Sequence, residues 1–121
     1  DIIIITSDHD YLQLIDEWTY IYTLQNKLLN EKSCGYPTRD LLIKIIMGDS
    51  SDNIPAIYPR CGYKTACKLS LDEDLFVKKN LQNDEYKINY SLNRQLIDFS
   101  FIPDDIQRGL LLKYDYIFYK N

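Results

Sequence analysis

The segment Gly48-Asp49-Ser50-Ser51-Asp52-Asn53-Ile54-Pro55, followed by Cys61-Gly62-Tyr63-Lys64-Thr65-Ala66, constrains this chain more than any other. Glycine commonly ends a helix and proline cannot continue one, so a helix stops at Gly48 and the chain turns before another opens after Gly62. Inside the turn region stand two carboxylates three residues apart, Asp49 and Asp52. Carboxylates can hold a hard cation, and a glycine turn leading into a helix can hold a phosphate. The combination points to work on a phosphodiester backbone with a divalent metal.

A second acidic pair, Asp8 and Asp10, follows the run Ile2-Ile3-Ile4-Ile5. A short β-branched apolar run reads as a strand buried on both faces, typical of a parallel sheet. Residues two apart in extended chain face the same way, and open α/β sheets gather ligands at the carboxyl ends of their strands. Asp8, Asp10, Asp49 and Asp52 are therefore candidate ligands for magnesium or manganese, of which magnesium needs only a few carboxylates because it keeps several waters. Each aspartate also has a plainer reading as a turn former or helix cap. His9 can be a ligand or general base, but reads first as a solvent-facing turn residue. Trp18 and the eleven tyrosines can stack on bases, yet their spacing reads mainly as core and half-buried packing. Ser50 and Ser51 have neither a neighbouring histidine nor an elbow motif, so no catalytic group is assigned apart from the metal ligands.

Along the chain, residues 1–6 read as a strand, Tyr11 to Ile15 as one or two helical turns, and Trp18 to Leu24 as a second strand. Gln25 to Tyr36 reads as loop. Thr38 can cap a helix through Leu41, Leu42, Ile45 and Ile46 that stops at Gly48. Helices are then expected over Lys64–Leu69, Asp72–Leu81 and Glu85–Phe99, the last with Ile88, Leu92, Leu96 and Ile97 at helical spacing. Pro103 and Asp104 open a final helix towards Tyr114. In the turn, Gly62 offers conformations closed to other residues, Lys64 a point charge and Thr65 a hydroxyl. The architecture is α/β: a sheet-containing part over residues 1–53, then a helical part over residues 54–121.

Composition sets the limits. A chain of 121 residues holds one domain or a large piece of one, and neither a membrane span nor a signal peptide is indicated. Three cysteines without C-x-x-C spacing read as reduced thiols of an intracellular protein. The formal net charge of −4 argues against a general nucleic-acid binder, leaving a local basic patch of Arg60, Lys64 and Lys68 to hold a backbone. The chain begins at Asp1, inside the first strand, which reads as a truncated product.

Ile5-Thr6-Ser7-Asp8-His9-Asp10-Tyr11-Leu12-Gln13-Leu14 resembles the "S-x-D-x-D-x-x-Q-L" segment of the structure-specific 5′ nucleases. These include flap endonucleases, phage 5′-3′ exonucleases and the 5′-nuclease domain of bacterial DNA polymerase I. Gly48 to Pro55, continuing to Gly62-Tyr63-Lys64-Thr65-Ala66, is similar to the family's "G-D-x-S-D-N-I-P-G-V-x-G-I-G-x-K-T-A". Asn93 to Phe99 resembles a later stretch in viral members more weakly. The resemblance implies a PIN-like nuclease core of short parallel strands and helices, followed by a helix-three-turn-helix that holds duplex DNA. It implies that Asp8, Asp10, Asp49 and Asp52 belong to a two-metal acidic cluster using magnesium or manganese. It also implies that Gly62, Lys64 and Thr65 contact a DNA phosphate, often with a potassium ion.

The implied reaction is hydrolysis of phosphodiesters at 5′ ends, flaps or RNA primers, on duplex DNA or an RNA-DNA primer junction. Two departures stand out. The family's "G-I-G" is Arg60-Cys61-Gly62 here, in a loop one residue longer through Tyr58 and Pro59, and Arg60 becomes a further candidate phosphate contact. The family's first strand, helical arch and remaining acidic ligands lie upstream of the segment matching Asp1. The expectation is the carboxy-terminal part of a viral-style nuclease, intracellular in host cytoplasm or nucleus. It should be inactive alone, with a separate chain carrying the amino-terminal half as its expected partner. The alternative is a non-catalytic DNA-backbone-binding module.

Overall fold

A computed structural model describes residues 1–119, so Lys120 and Asn121, at the end of the region 54–121, lie outside the described residues. The described chain is α/β and mostly helical. Strand β1 (Ile2–Ile5) pairs in parallel with β2 (Thr19–Tyr22), with Ile2 opposite Thr19 and Ile5 opposite Tyr22. Between them the chain crosses through a 3₁₀ turn, His9–Leu14. Helices α1 (Pro37–Met47), α2 (Tyr63–Leu71), α3 (Glu73–Asn80), α4 (Asp84–Ile97) and α5 (Asp104–Tyr119) follow.

Leu12, Ile21 and Leu29 form a small core under the strands, where a further 3₁₀ turn, Leu29–Lys32, interrupts the expected loop. Asn30 closes the outer edge of β2. Its Oδ1 accepts from the Ile21 amide at 2.8 Å and its Nδ2 donates to the Thr19 carbonyl at 3.0 Å, as a third strand would. β1 departs from expectation. Ile3 and Ile5 are 65% and 68% exposed, and only Ile4 is half-buried, against the small core. Four identical residues carry no periodicity, so the sequence could not say which face is covered; among the described residues β1 pairs with β2 alone.

The larger core joins α1, α2 and α4 through Ile43, Ile45, Ile46, Ile57, Tyr58, Ala66, Leu69 and Ile97. Helix α1 starts one residue before the expected cap. Pro37 occupies the first turn after Tyr36, and no side chain caps it, because proline has its φ preset and no amide to satisfy. Helix α4 also corrects the sequence reading. Its stripe Ile88, Leu92 and Leu96 is exposed, and the buried side is Asn93 and Ile97 with Tyr86, Asn89 and Tyr90 half-covered. Several aromatics expected in the core, Trp18, Tyr36 and Tyr63 among them, are exposed as well. Helix α5 extends beyond Tyr114 to Tyr119 and leaves Leu110, Leu111 and Leu112 open.

The end of α1 positions everything around the site. Its last carbonyls need partners outside the helix. The Lys44 carbonyl accepts from Gly48 N–H at 2.9 Å and the Ile46 carbonyl from Ile57 N–H at 3.0 Å. The Ile45 carbonyl accepts from the buried Asn93 Nδ2 at 3.0 Å, and the same amide donates to the Pro55 carbonyl at 2.7 Å. Gly48 sits at φ +68°, and a Cβ there would fall 2.3 Å from the Ile54 carbonyl oxygen.

Gly48→Ala therefore meets both a disfavoured backbone and an immovable carbonyl, and should cost more than about 2 kcal/mol. Gly35, at φ +94° with open space around it, is the control: Gly35→Ala should cost only the roughly 1 kcal/mol of backbone strain. Urea denaturation of the two variants checks this. Equal losses would mean that the close approach at Gly48 does not constrain the fold.

Candidate functional site

Two aspartates cap the turns that carry the other two. Asp8 Oδ1 accepts from the Asp10 amide at 2.9 Å, fixing the start of the turn His9–Leu14. Asp49 Oδ1 accepts from the Ser51 amide at 2.9 Å and from Ser51 Oγ at 2.5 Å, fixing the turn Ser50–Asp52. A short antiparallel bridge between Asp49 and Ile54 closes that loop, helped by Asn53 in the left-handed conformation. The capping role thus aims each carboxylate, and a cap need not exclude a further function.

Asp8, Asp49 and Asp52, with Ser7, His9, Lys44 and Ser51, line one open groove of about 430 Å³. Asp10 lies a layer behind them. Lys44, in the last turn of α1, joins the two layers. Its Nζ donates to Asp49 Oδ2 at 2.6 Å and lies 3.4 Å from Asp10 Oδ1. Gln13 braces the same turn from beneath. Its Nε2 donates to the carbonyls of Asp10 and Ile97, at 2.9 and 3.0 Å, and its Oε1 accepts from Phe99 N–H.

Among the described residues, no three histidine, cysteine, aspartate or glutamate side chains converge closely enough to hold a metal ion. The chemistry of the donors nevertheless suits a hard cation. They are all carboxylate oxygens, and Asp10 Oδ1 is buried without a hydrogen-bond partner, its contact with Lys44 being an ion pair at poor bonding geometry. Magnesium bound through one or two carboxylates and several waters needs no closed protein cage.

The turn before α2 is built differently from the sequence reading. Gly62 precedes the helix at an ordinary φ of −97°, and a Cβ on it would meet nothing. The left-handed residue is Arg60, at φ +54°. The reversal falls two residues earlier than expected, at the place of the missing glycine. Arg60, Gly62, Lys64 and Thr65 are all exposed, as is Lys68, and none of these cations forms an ion pair among the described residues. Cys34, Cys61 and Cys67 are free thiols.

The chain is 28% identical to the ribonuclease H of Enterobacteria phage T4, over 94% of this chain and 42% of that protein. It is 37% identical to a 5′-3′ exonuclease of Buchnera aphidicola subsp. Schizaphis graminum, over 72% of this chain and 31% of the relative. It is also 30% identical to a DNA polymerase I of Streptococcus pneumoniae, over 81% of this chain and 14% of that enzyme. The chain belongs to the 5′ nuclease family. It spans less than half the length of these curated relatives, and no protein-family model matches it.

In this 5′ nuclease chain the site is electrostatically divided. The hydrogen bond from Lys44, reinforced by Ser51, holds the Asp49 carboxyl down to about 2. Burial pushes Asp10 above the ordinary carboxylate value, with Lys44 opposing the shift and the Asp8 charge adding to it. Burial works against the Lys44 charge too, but the hydrogen bond it donates to Asp49 and the attraction of Asp10 and Asp49 outweigh it and raise its pKa. Sequence reasoning missed both Lys44 and Gln13. For Lys44 the available signal was a lone cation in the last helical turn, five residues before Asp49.

The opposite shifts predict opposite stability effects. The contribution of Asp49 is present above its ordinary value near 3.8 and is lost as pH falls towards about 2, so Asp49→Asn should lower stability at pH 7. The raised Asp10 disfavours folding while ionised, so Asp10→Asn should raise stability at pH 7, with the difference fading as pH falls below the folded-state value. Thermal unfolding between pH 3 and pH 7 separates the two. A further variant, Arg60→Gly, should gain up to about 1 kcal/mol by removing a side chain from the left-handed region, read from the urea midpoint.

Proposed function

We propose that this chain contributes the acidic groove and the DNA-gripping turn of a metal-dependent 5′-3′ exonuclease or flap endonuclease. The carrying observation is that Asp8, Asp49 and Asp52 line one open groove in a 5′ nuclease chain, with Lys44 tying Asp49 to Asp10. Magnesium or manganese would be held by Asp8, Asp10, Asp49 and Asp52, completed as a two-metal site by carboxylates from the rest of the enzyme. Bound there, it would supply an activated water and neutralise the charge that develops on the scissile phosphate.

The chain's own residues do the rest. Lys44 offsets part of the crowded negative charge and keeps Asp49 and Asp10 in register. Ser51 fixes the direction of Asp49. Lys64, Thr65, the backbone after Gly62 and the side chain of Arg60 hold phosphates of duplex DNA without reading its sequence, with a potassium ion as a further occupant of the turn. The substrate class is duplex DNA with a 5′ end or flap, or an RNA-DNA primer junction. The edge of β1 away from β2 is where the other half of the nuclease core would continue the sheet, from the same polypeptide or a separate one, and its further elements would cover the exposed Ile3 and Ile5.

A labelled 5′-flap duplex with magnesium tests the reading. The chain alone should not cut. With the upstream half of a longer relative added in trans it should cut, and Asp49→Asn should abolish that activity. Lys64→Ala should weaken duplex binding across all sequences and reduce the slope of log affinity against log salt by about 1. Absence of cutting in both arms, with magnesium-independent duplex binding lost in Lys64→Ala, would overturn the nuclease reading and leave a DNA-backbone-binding module.

A further inference from the structure

Every residue of α5 from Asp104 to Phe118 is exposed, and among the described residues none of them enters either hydrophobic core. Isolated helices of about 12–15 residues are marginal in water, and most of a helix's stability comes from packing its apolar side. The 16 residues of α5 stand close to that limit and include Gly109, a poor helix former. On α4 the outward stripe Ile88, Leu92 and Leu96 has the same need of cover. These three side chains, with Ile106 and Leu110 of α5, are between 50% and 65% exposed and form two continuous apolar stripes, not scattered single residues.

The two stripes belong to one chain yet do not meet within it. The link between the helices, residues 98–103, is pinned. Buried Asp98 accepts from the Ser100 amide at 2.9 Å and pairs with Arg94 Nε at 3.4 Å. The Arg94 guanidinium lies over the Phe101 ring, 5.1 Å from its centre. Gln13 Oε1 accepts from the Phe99 amide at 3.0 Å, and Gln107 Nε2 donates to the Ile102 carbonyl at 2.6 Å. These contacts set the direction in which α5 leaves the end of α4, and along that direction α5 leaves the stripe of its own α4 uncovered.

We propose that the two stripes meet between two copies of this chain, α5 of each lying antiparallel along α4 of the other. The helices match in length, at 14 and 16 residues. Their patterns match as well. Setting Leu92 against Ile106 also sets Ile88 against Leu110 and Glu85 against Lys113, because the offsets of four and seven residues, those of a single helix face, run in opposite senses along the two helices. Neither Glu85 nor Lys113 forms an ion pair among the described residues, so this register ends each apolar stripe in a pair of opposite charges. It also brings Asp104 and Asp105, the acidic first turn of α5, towards the carboxyl end of the other copy's α4, whose last turn carries Arg94. A two-fold axis makes the contact twice and closes the assembly as a dimer. The pairing goes beyond the nuclease reading and does not depend on it.

Sedimentation of the full chain over a wide concentration range tests the pairing. The weight-average mass should rise from that of one chain to that of two and stop there. Leu92→Glu and Leu110→Glu stand at exposed positions outside both cores, so each variant should keep a cooperative thermal transition while associating at least about tenfold more weakly. Glu85→Lys should weaken association, and Glu85→Lys combined with Lys113→Glu should restore it. A single chain at every concentration overturns the proposal, as does a dimer that neither leucine variant weakens or that the charge exchange fails to restore. Nuclear Overhauser contacts between the methyl groups of Ile88 and Leu110 in a monomer would show α5 folded back on its own α4, and would overturn it equally.

Discussion

The carboxyl end of α1 is the constraint on which the rest of the structure depends. Gly48 turns the chain back so closely on Ile54 and Pro55 that no side chain fits, and Asn93 reaches from α4 to hold both the Ile45 and Pro55 carbonyls. Buried polar groups are costly unless paired, so this single amide fixes three segments against one another. The consequence is local precision. Asp49 leaves the helix in the direction set by this turn, and Lys44, one turn earlier, lies within reach of it.

The second organising feature is a shortage of positive charge. Asp8, Asp10, Asp49 and Asp52 gather near a single lysine, and the protein tolerates the arrangement by dividing it. The two side chains are equally covered, but Asp49 is held ionised by hydrogen bonds from Lys44 and Ser51, whereas Asp10 Oδ1 has no hydrogen-bond partner and Asp10 is disfavoured as an anion. Ionised Asp49 thus favours folding, and ionised Asp10 opposes it.

Apolar surface is distributed unevenly. The core linking α1, α2 and α4 is well closed, whereas Ile3 and Ile5 on β1, Ile88, Leu92 and Leu96 on α4, and Leu110 to Leu112 on α5 are exposed. Among the described residues, no helix is long and apolar enough to cross a membrane.

The sequence by itself determined the local devices. Gly48 had to end a helix, Asp8 and Asp49 were of a type that caps turns, and the two motifs carried enough ordered residues to point to the 5′ nuclease family that the relatives then supported. These are properties of short segments, governed by backbone geometry and side-chain reach, and so they are written locally. The tertiary structure alone decided the rest. Thr38 lost the cap to Pro37, the left-handed residue was Arg60 instead of Gly62, and α4 buried Asn93 and Ile97 in preference to its aliphatic stripe. Lys44 joined the acidic residues because α1 packs beside the turn that carries Asp10, and Gln13 became a brace because the end of α4 lies 84 residues away in sequence but within hydrogen-bond reach. Burial and ion pairing depend on which distant surfaces meet, and no periodicity in a single segment records that.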